Sequence, residues 1–274
     1  MIQEDITPPV INLPKDITME AAGPEGALVS FEATASDDFS GQVPVTCNPE
    51  SGSIFPLGTT EVKCSATDAA GNTAQDIIKI TVSDTTPPLI TCPLDTSIEC
   101  GQSPDPAITG SASATDVCDS SLDINSSDSI APGTCSEEKT ITRTWTATDD
   151  SGNSSRCVQT IEIVDSTTPE IQCNAPSTIT PREAPISFTA TASDNCAGEP
   201  FVEIIGYDCF AFTKKGKRID KKESCIIKVN GDTIIVVDSG GVDDNITWTV
   251  RATDNCGNIT ETTCSVMVVK PSKP

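Results

Sequence analysis

Ala66-Thr-Asp-Ala-Ala-Gly-Asn72, followed by the alternating run Ile77-Ile-Lys-Ile-Thr-Val82, decides the fold of this chain. Asp opening a turn and Gly closing it mark a tight reversal, and a period-two run of Ile, Val and Thr marks a strand. The same words return at Ala147-Thr-Asp-Asp-Ser-Gly-Asn153 and Ala252-Thr-Asp-Asn-Cys-Gly-Asn258. Upstream, three entry segments align: Asp5-Ile-Thr-Pro-Pro-Val-Ile-Asn-Leu-Pro14, Asp84-Thr-Thr-Pro-Pro-Leu-Ile-Thr-Cys-Pro93 and Asp165-Ser-Thr-Thr-Pro-Glu-Ile-Gln-Cys173. They start 79 and then 81 residues apart. A middle segment recurs as Ala35-Ser-Asp-Asp38, Ala114-Thr-Asp-Val117 and Ala192-Ser-Asp-Asn195. Self-similarity at a fixed period marks tandem units, with expected boundaries 1–84, 85–165 and 166–274.

Within each repeat, short Val-, Ile- and Thr-rich runs are bounded by Gly, Pro, Asp and Asn, with no helical periodicity. Seven short strands in about 80–100 residues indicate an immunoglobulin-like sandwich. The expectation is an all-β chain of three tandem immunoglobulin-like β-sandwich domains. Short Thr-Thr-Pro-Pro linkers restrict the joints and favour an extended rod. Aromatic residues make up 4% of the chain. Each core is therefore small, with Phe31, Phe55, Trp145, Phe188 and Trp248 as its large fillers, and cross-links matter correspondingly more.

The net charge of −23, from 40 acidic against 17 basic residues, repels phosphate backbones and anionic membranes, so neither nucleic acid nor membrane insertion is expected. It suits hard cations with oxygen ligands, above all Ca²⁺. Thirteen cysteines without a CxxC pair, in a chain without histidine, point to disulfides and an oxidising, extracellular compartment rather than to zinc. No apolar run approaches the roughly 18 residues of a membrane span, and Met1 leads straight into the first repeat without a signal peptide. The expected context is a piece of a longer protein whose flanks carry export signal and anchor. Lack of histidine removes Ser-His-Asp and Cys-His catalysis. Paired carboxylates can serve a glycosidase. Here they recur at equivalent places in every repeat, which suits a structural device, and no enzyme is expected.

The stretch Glu50-Ser-Gly-Ser-Ile-Phe-Pro-Leu-Gly-Thr-Thr-Glu-Val-Lys-Cys-Ser-Ala-Thr-Asp-Ala-Ala-Gly-Asn72 resembles the hyalin repeat, or HYR domain. Repeat two, with Thr109-Gly-Ser-Ala-Ser-Ala-Thr-Asp116 and Arg143-Thr-Trp-Thr-Ala-Thr-Asp149, resembles related repeats of very large surface adhesins of Bacteroidetes. The resemblance implies an immunoglobulin-like fold, cell-surface adhesion and no catalytic residues. Repeat three departs from it through a long insertion.

Sandwich topology places the first and last strands side by side, predicting Cys92–Cys157 and Cys173–Cys264. Repeat one has Leu13 and Asp76 at the positions of Cys92 and Cys157, so both partners are missing together. Cys47 and Cys64 are expected to bond across the core, Cys196 to reach Cys256, Cys100 to reach Cys135, and Cys209 and Cys225 to close the insertion. Cys118 is left as the odd thiol, because Ser151 stands where repeat three has Cys256.

The entry, middle and exit segments share one end of each domain. Asp5, Asp37 and Asp68 are therefore expected to converge, as are Asp84, Asp116 and Asp149, and Asp165, Asp194 and Asp254. Three carboxylates without a basic partner repel one another, and Ca²⁺ relieves that. Asn72, Asn153 and Asn258 offer carbonyl oxygens. The competing reading is that these aspartates only cap turns.

Repeat three carries roughly 27 extra residues between Asp194 and Asp254, with Lys214, Lys215, Lys217, Arg218, Lys221, Lys222 and Lys228. Cys225 to Asp238 reads as a hairpin closed by Asn230-Gly231. The lysines either guard an exposed edge or, beside Tyr207, Phe210 and Phe212, contact an acidic polysaccharide or the acidic face of another repeat. Asn125, Asn153, Asn245 and Asn258 lie in glycosylation sequons. The expected function is a calcium-stiffened spacer or adhesive segment meeting glycan or protein partners or a second copy. The alternatives are a glycan-binding accessory module of a secreted polysaccharide-degrading enzyme, or a filament subunit.

Overall fold

The computed structural model describes residues 4–196 and 198–271. Repeat one is built from β1 (Val10–Asn12), β2 (Ile17–Glu20), β3 (Ala27–Val29), β4 (Thr34–Asp37), β5 (Gly41–Val43), β6 (Val45–Asn48), β7 (Ser53–Phe55), β8 (Gly58–Thr67) and β9 (Thr73–Ser83). Its main sheet has the order β2-β9-β8-β6, beside β1-β4-β5 and the pair β3-β7. The turn written as Asp68-Ala-Ala-Gly-Asn72 joins β8 to β9, with the Asp68 N–H donating to the Asn72 carbonyl at 3.1 Å and Gly71 at φ +93°. Alternation then does the sorting: Val62, Cys64, Ile78, Ile80 and Val82 face inward onto Val29 and Phe55. Each such burial contributes about 1.5–3 kcal/mol for the larger side chains. Gly26, at φ +103°, is held by space as well as by backbone, since a Cβ there would stand 1.8 Å from the Phe55 carbonyl oxygen.

Repeat two holds β10 (Leu89–Thr91), β11 (Thr96–Glu99), the one-turn helix α1 (Pro106–Thr109), β12 (Ser113–Thr115), β13 (Asp123–Pro132), β14 (Lys139–Thr148) and β15 (Ser154–Val164). Its sheets are β11-β15-β14-β13 and β10-β12. The helix is one turn within an all-β chain; the Asp105 side chain accepts from the Ala107 N–H and so starts it. Trp145 is buried, donating Nε1–H to the buried Gln159 side chain at 3.4 Å.

Repeat three runs through β16 (Glu170–Gln172), β17 (Thr178–Ile179), β18 (Ile186–Thr189), β19 (Thr191–Ser193), β20 (Phe201–Phe212), β21 (Arg218–Asp220), β22 (Ile226–Asn230), β23 (Thr233–Asp238), β24 (Asp244–Thr253) and β25 (Ile259–Val268). The sheets are β17-β25-β24-β20-β21, β18-β23-β22 and β16-β19. Phe188 stacks on Trp248 with ring centroids 5.8 Å apart, at the centre of this core.

All three repeats use the same two devices. A short first strand lies antiparallel to the middle segment, as in Val10↔Ser36, Leu89↔Thr115 and Glu170↔Ser193. A second strand then runs parallel to the last one, as in Ile17↔Ile80, Thr96↔Ile161 and Thr178↔Met267. This switch of one strand between two sheets is what makes each repeat an immunoglobulin-like sandwich. The chain forms two compact units, Met1–Pro93 with Gly110–Ser127 and Arg143–Gln159, and Leu94–Thr109 with Asp128–Thr142 and Thr160–Pro274. Each linker aspartate, Asp84 or Asp165, thus lies inside one unit together with the loops it was expected to meet.

Two expectations need correction. Phe31 is only half-buried, packed at the margin of the first core. The Cys225 to Asp238 hairpin turns at Gly231-Asp232, with Asn230 paired to Thr233. Its second strand is no appendage: β23 pairs with β18 and buries Ile234 and Val236 completely. In repeat one the corresponding pair is β3-β7. The true additions of repeat three are therefore the far half of β20, β21 and β22.

Candidate functional site

Each linker begins with an aspartate whose Oδ1 caps the turn that follows. Asp5 Oδ1 accepts from the Thr7 N–H at 3.1 Å, and Asp84 Oδ1 accepts from the Thr86 N–H at 3.1 Å. The middle-segment aspartates behave alike: Asp37 Oδ1 accepts from Phe39 and Ser40, Asp116 Oδ1 from Cys118 and Asp119, and Asp194 Oδ1 from Cys196. Turn-capping is thus real, and it consumes one oxygen of each carboxylate. The exit-segment aspartates are held by the asparagine four residues on. Asp68, Asp149 and Asp254 each take the backbone N–H of Asn72, Asn153 or Asn258 on Oδ1, and its side-chain amide on Oδ2 at 2.9 Å. The same amides also donate to the linker carbonyls of Asp5, Asp84 and Asp165 at 3.3, 3.1 and 3.1 Å. These asparagines therefore tie the exit turn to the linker with nitrogen, and the Asn153 and Asn258 sequons present amides already engaged.

Carboxylate oxygens of the three segments also converge. One carboxylate oxygen from each of Asp5, Asp37 and Asp68 lies within 4.8 Å of the others, and so does one from each of Asp165, Asp194 and Asp254. Oδ2 of Asp5 and Oδ2 of Asp194 are buried without a hydrogen-bond donor among the described residues. Burial, followed by the charges of Asp254 and Asp194, pushes the Asp165 carboxyl above its usual range. Burial also works against ionisation at Asp68 and Asp254, but the hydrogen bonds from Asn72 and Asn258 outweigh it and hold both below the usual range. The middle cluster differs: Asp84 and Asp116 converge on the Cys118 sulfur. Asp149, expected as its third carboxylate, is held by Asn153 just as Asp68 and Asp254 are held by Asn72 and Asn258, but it stands outside the group.

Glu20 and Glu99 escaped the sequence reading. Glu20 accepts from the Thr85 N–H and hydroxyl at 2.8 and 2.7 Å, and from the Thr86 hydroxyl at 2.9 Å. Glu99 accepts from the Ser166 N–H and hydroxyl, both at 2.8 Å. These bonds, led by those from the Thr85 and Ser166 backbones, hold both carboxyls below their usual range. Each glutamate closes the end of one repeat onto the linker of the next. The signal was present: both stand fifteen residues after a linker aspartate, Asp5 or Asp84.

The cysteines reinforce this arrangement. Cys47 bonds Cys64, Cys92 bonds Cys157, Cys173 bonds Cys264 and Cys209 bonds Cys225. Cys47 and Cys64 are direct neighbours on the adjacent strands β6 and β8, with Cα atoms 4.0 Å apart, and do not bridge across the core. Cys100 is bonded to Cys196, not to Cys135, and Cys135 is bonded to Cys256, so Cys196 and Cys256 do not pair. The expectation assumed bonds within repeats. Both pairs instead join repeat two to repeat three, because the far end of repeat two meets the loops that carry Cys196 and Cys256. Cys118 is the free thiol among the described residues. It corresponds to Cys196, and its sulfur lies 3.8 Å from the carbonyl oxygen of Ala21, which corresponds to Cys100. Burial, then Asp84 and Asp116, raises its pKa above the usual thiol range.

Lys214, Lys215, Lys217, Arg218 and Lys222 are exposed and Lys221 is half-buried, on the β20–β21 hairpin and the turn after it. Among the described residues no helix is long and apolar enough to cross a membrane.

Fold, linker clusters and cross-repeat bridges together define a tandem array of cysteine-stapled immunoglobulin-like repeats. The HYR domain family matches residues 4–82 and 83–163, more than half of the sequence, and the chain belongs to that family. It is 32% identical over 188 residues to hyalin of Strongylocentrotus purpuratus, covering 63% of this chain and 15% of that protein. It is 32% identical over 213 residues to hyalin of Lytechinus variegatus, covering 71% of this chain and 40% of that protein. The chain therefore spans less than half the length of either relative. Among solved structures, the EC22–24 segment of mouse cadherin-23 shows 13% identity over 96% of this chain and 99% of its own, with a TM-score of 0.35. Drosophila N-cadherin EC1–4 shows 15% identity over 96% of this chain and 76% of its own, with a TM-score of 0.32.

Proposed function

We propose that this chain is a non-catalytic spacer segment of an extracellular adhesin or stalk, divided into domains 1–84, 85–165 and 166–274, with joints stiffened by Ca²⁺. The observation that carries this reading is the convergence of linker, middle and exit carboxylates within 4.8 Å, with buried Oδ2 atoms of Asp5 and Asp194 lacking a donor. Oxygens of this kind fit a hard cation that takes six to eight oxygen ligands. The Asp5 and Asp165 clusters fit it best; the cluster at Asp84 offers a thiol where the others offer a third carboxylate. When bound, Ca²⁺ would offset the burial and then the repulsion from Asp254 and Asp194 that together raise Asp165. The chain's own residues do the rest, with Glu20 and Glu99 clamping each linker and Asn72, Asn153 and Asn258 fixing the exit turns. The resemblance of repeat two to repeats of bacterial surface adhesins and the identity with hyalin support the same class of role. The partners of such a segment are cell-surface or matrix glycans or proteins, including further copies of the chain.

Thermal unfolding in Ca²⁺ and in a chelator tests the reading. Binding at a hundredfold excess over Kd adds about 2.7 kcal/mol, a rise of several degrees for a unit of this size. Asp194→Asn and Asp165→Asn should each remove most of the rise contributed by the third cluster. Identical transitions with and without Ca²⁺ would leave the aspartates as turn caps.

A further inference from the structure

Between Thr213 and Lys222 six cations stand against one carboxylate, Asp220, in a chain whose net charge is −23. The hairpin that carries them is defined by strand pairing and a hydrogen-bonded turn. Phe210 faces Asp220 and Phe212 faces Arg218 across β20 and β21. The turn closes through the Thr213 N–H to the Lys217 carbonyl at 2.9 Å and the Lys217 N–H to the Thr213 hydroxyl at 3.0 Å, with Gly216 at φ +77°. Lys214, Lys215 and Lys217 project from this turn into solvent.

Edge protection alone would call for charge and no aromatic surface. The tip has an aromatic surface. Phe210 and Phe212 share a face of β20 with ring centroids 5.4 Å apart, edge to face, and Phe212 remains 57% exposed. The Arg218 guanidinium lies 4.1 Å from the Phe210 ring centroid and pairs with Asp208, which also draws Lys222 to 3.8 Å. The result is an apolar shelf with fixed cations beside it.

We propose that this tip binds an anionic polysaccharide, one sugar face lying on Phe212 while carboxylate or sulfate groups meet Arg218 and the turn lysines. A pyranose ring presents apolar C–H faces to an aromatic ring, and its anionic substituents accept from guanidinium and ammonium donors. A second copy of the chain would satisfy the cations through its carboxylates, but an exposed aromatic ring set beside fixed cations matches the paired C–H face and anionic groups of a charged sugar, which favours the glycan. The acidic remainder of the chain repels a polyanion and confines it to the tip. This deepens the adhesive reading above and rests on its extracellular placement, but it does not depend on calcium.

The test uses the full chain in chelator, with immobilised heparin carrying sulfate and uronate and immobilised alginate carrying uronate alone, at low and high salt. Binding to either polymer, lost at high salt, is expected, and the two polymers identify which anionic group is read. The triple variant Lys214→Ser, Lys215→Ser, Lys217→Ser should weaken it about tenfold or more. Phe212→Ala should weaken it roughly three- to tenfold. Both variants alter exposed positions and should melt like the parent. No binding to either polymer, indifference to the triple variant, or indifference to Phe212→Ala would overturn the proposal. So would equal binding to a single-stranded oligonucleotide, or a retention that sedimentation traces to self-association through the lysines. A calcium-independent melting curve would refute the stiffened joint and leave this result untouched.

Discussion

Substituting Ala21→Cys should create a third bridge between successive repeats. Ala21 stands sixteen residues after Asp5 and Cys100 sixteen after Asp84, while Cys118 and Cys196 both stand two after a middle-segment aspartate. Cys100 and Cys196 are bonded with Cα atoms 5.6 Å apart. Cys118 already lies against Ala21, its sulfur 3.8 Å from the Ala21 carbonyl oxygen. The new bond would close a loop between residues separated by 97 positions. Loop-closure entropy for such a length is worth about 4.7 kcal/mol, and measured bridges usually yield about 2–4 kcal/mol. For a unit of this size that corresponds to roughly 5–15 °C in Tm. The assay is a thiol titration under denaturing conditions, followed by thermal unfolding of the oxidised protein. The parent should show one reactive thiol and the variant none, with the higher transition. A variant that keeps two free thiols, or pairs the new cysteine elsewhere, would refute both the repeat correspondence and the junction geometry.

Cys118 in the parent should react with iodoacetamide several-fold more slowly than a free cysteine at about pH 8, because burial and the carboxylates of Asp84 and Asp116 keep its thiol protonated. An ordinary rate would place it outside that cluster. Asp165→Asn and Glu99→Gln should act with opposite signs in chelator. The folded Asp165 pKa is raised, so its contribution favours folding at low pH and is lost as pH rises through the folded value; removing the charge should stabilise near neutrality and change little in acid. The folded Glu99 pKa is lowered, so its contribution is present above the usual carboxylate range and fades as pH falls; Glu99→Gln should destabilise near neutrality. Denaturant unfolding across that range gives both signs, and equal signs would contradict the assignment. Trp248→Ala should lower stability by about 3–5 kcal/mol, measured the same way, since the ring is 1% exposed and stacked on Phe188.

Much of this molecule was written locally. The Asp-x-x-Gly-Asn turns, the alternating strands after them and the recurrence of both depend on residues within a few positions of one another, so Asp68 to Val82 could be read directly as turn and strand. Equivalence between repeats then brought Asp5 to Asp37 and Asp68, and Asp165 to Asp194 and Asp254, without coordinates, because matching positions of a repeated fold occupy matching places. The cysteine partners at the second linker were not legible in this way. Pairing Cys100 with Cys196 and Cys135 with Cys256 depends on which end of one repeat faces which loops of the next, and no periodicity records that. The same reason hid Glu20 and Glu99, whose partners belong to the following linker. It also put Cys118 where a third carboxylate was expected. Likewise β22 and β23 looked like one inserted hairpin, until the pairing of β23 with β18 showed that half of it belongs to the core. The sequence by itself determined the repeats, their strands and two of the three acidic clusters; only the tertiary structure decided what joins one repeat to the next, since those contacts lie between segments far apart in the chain.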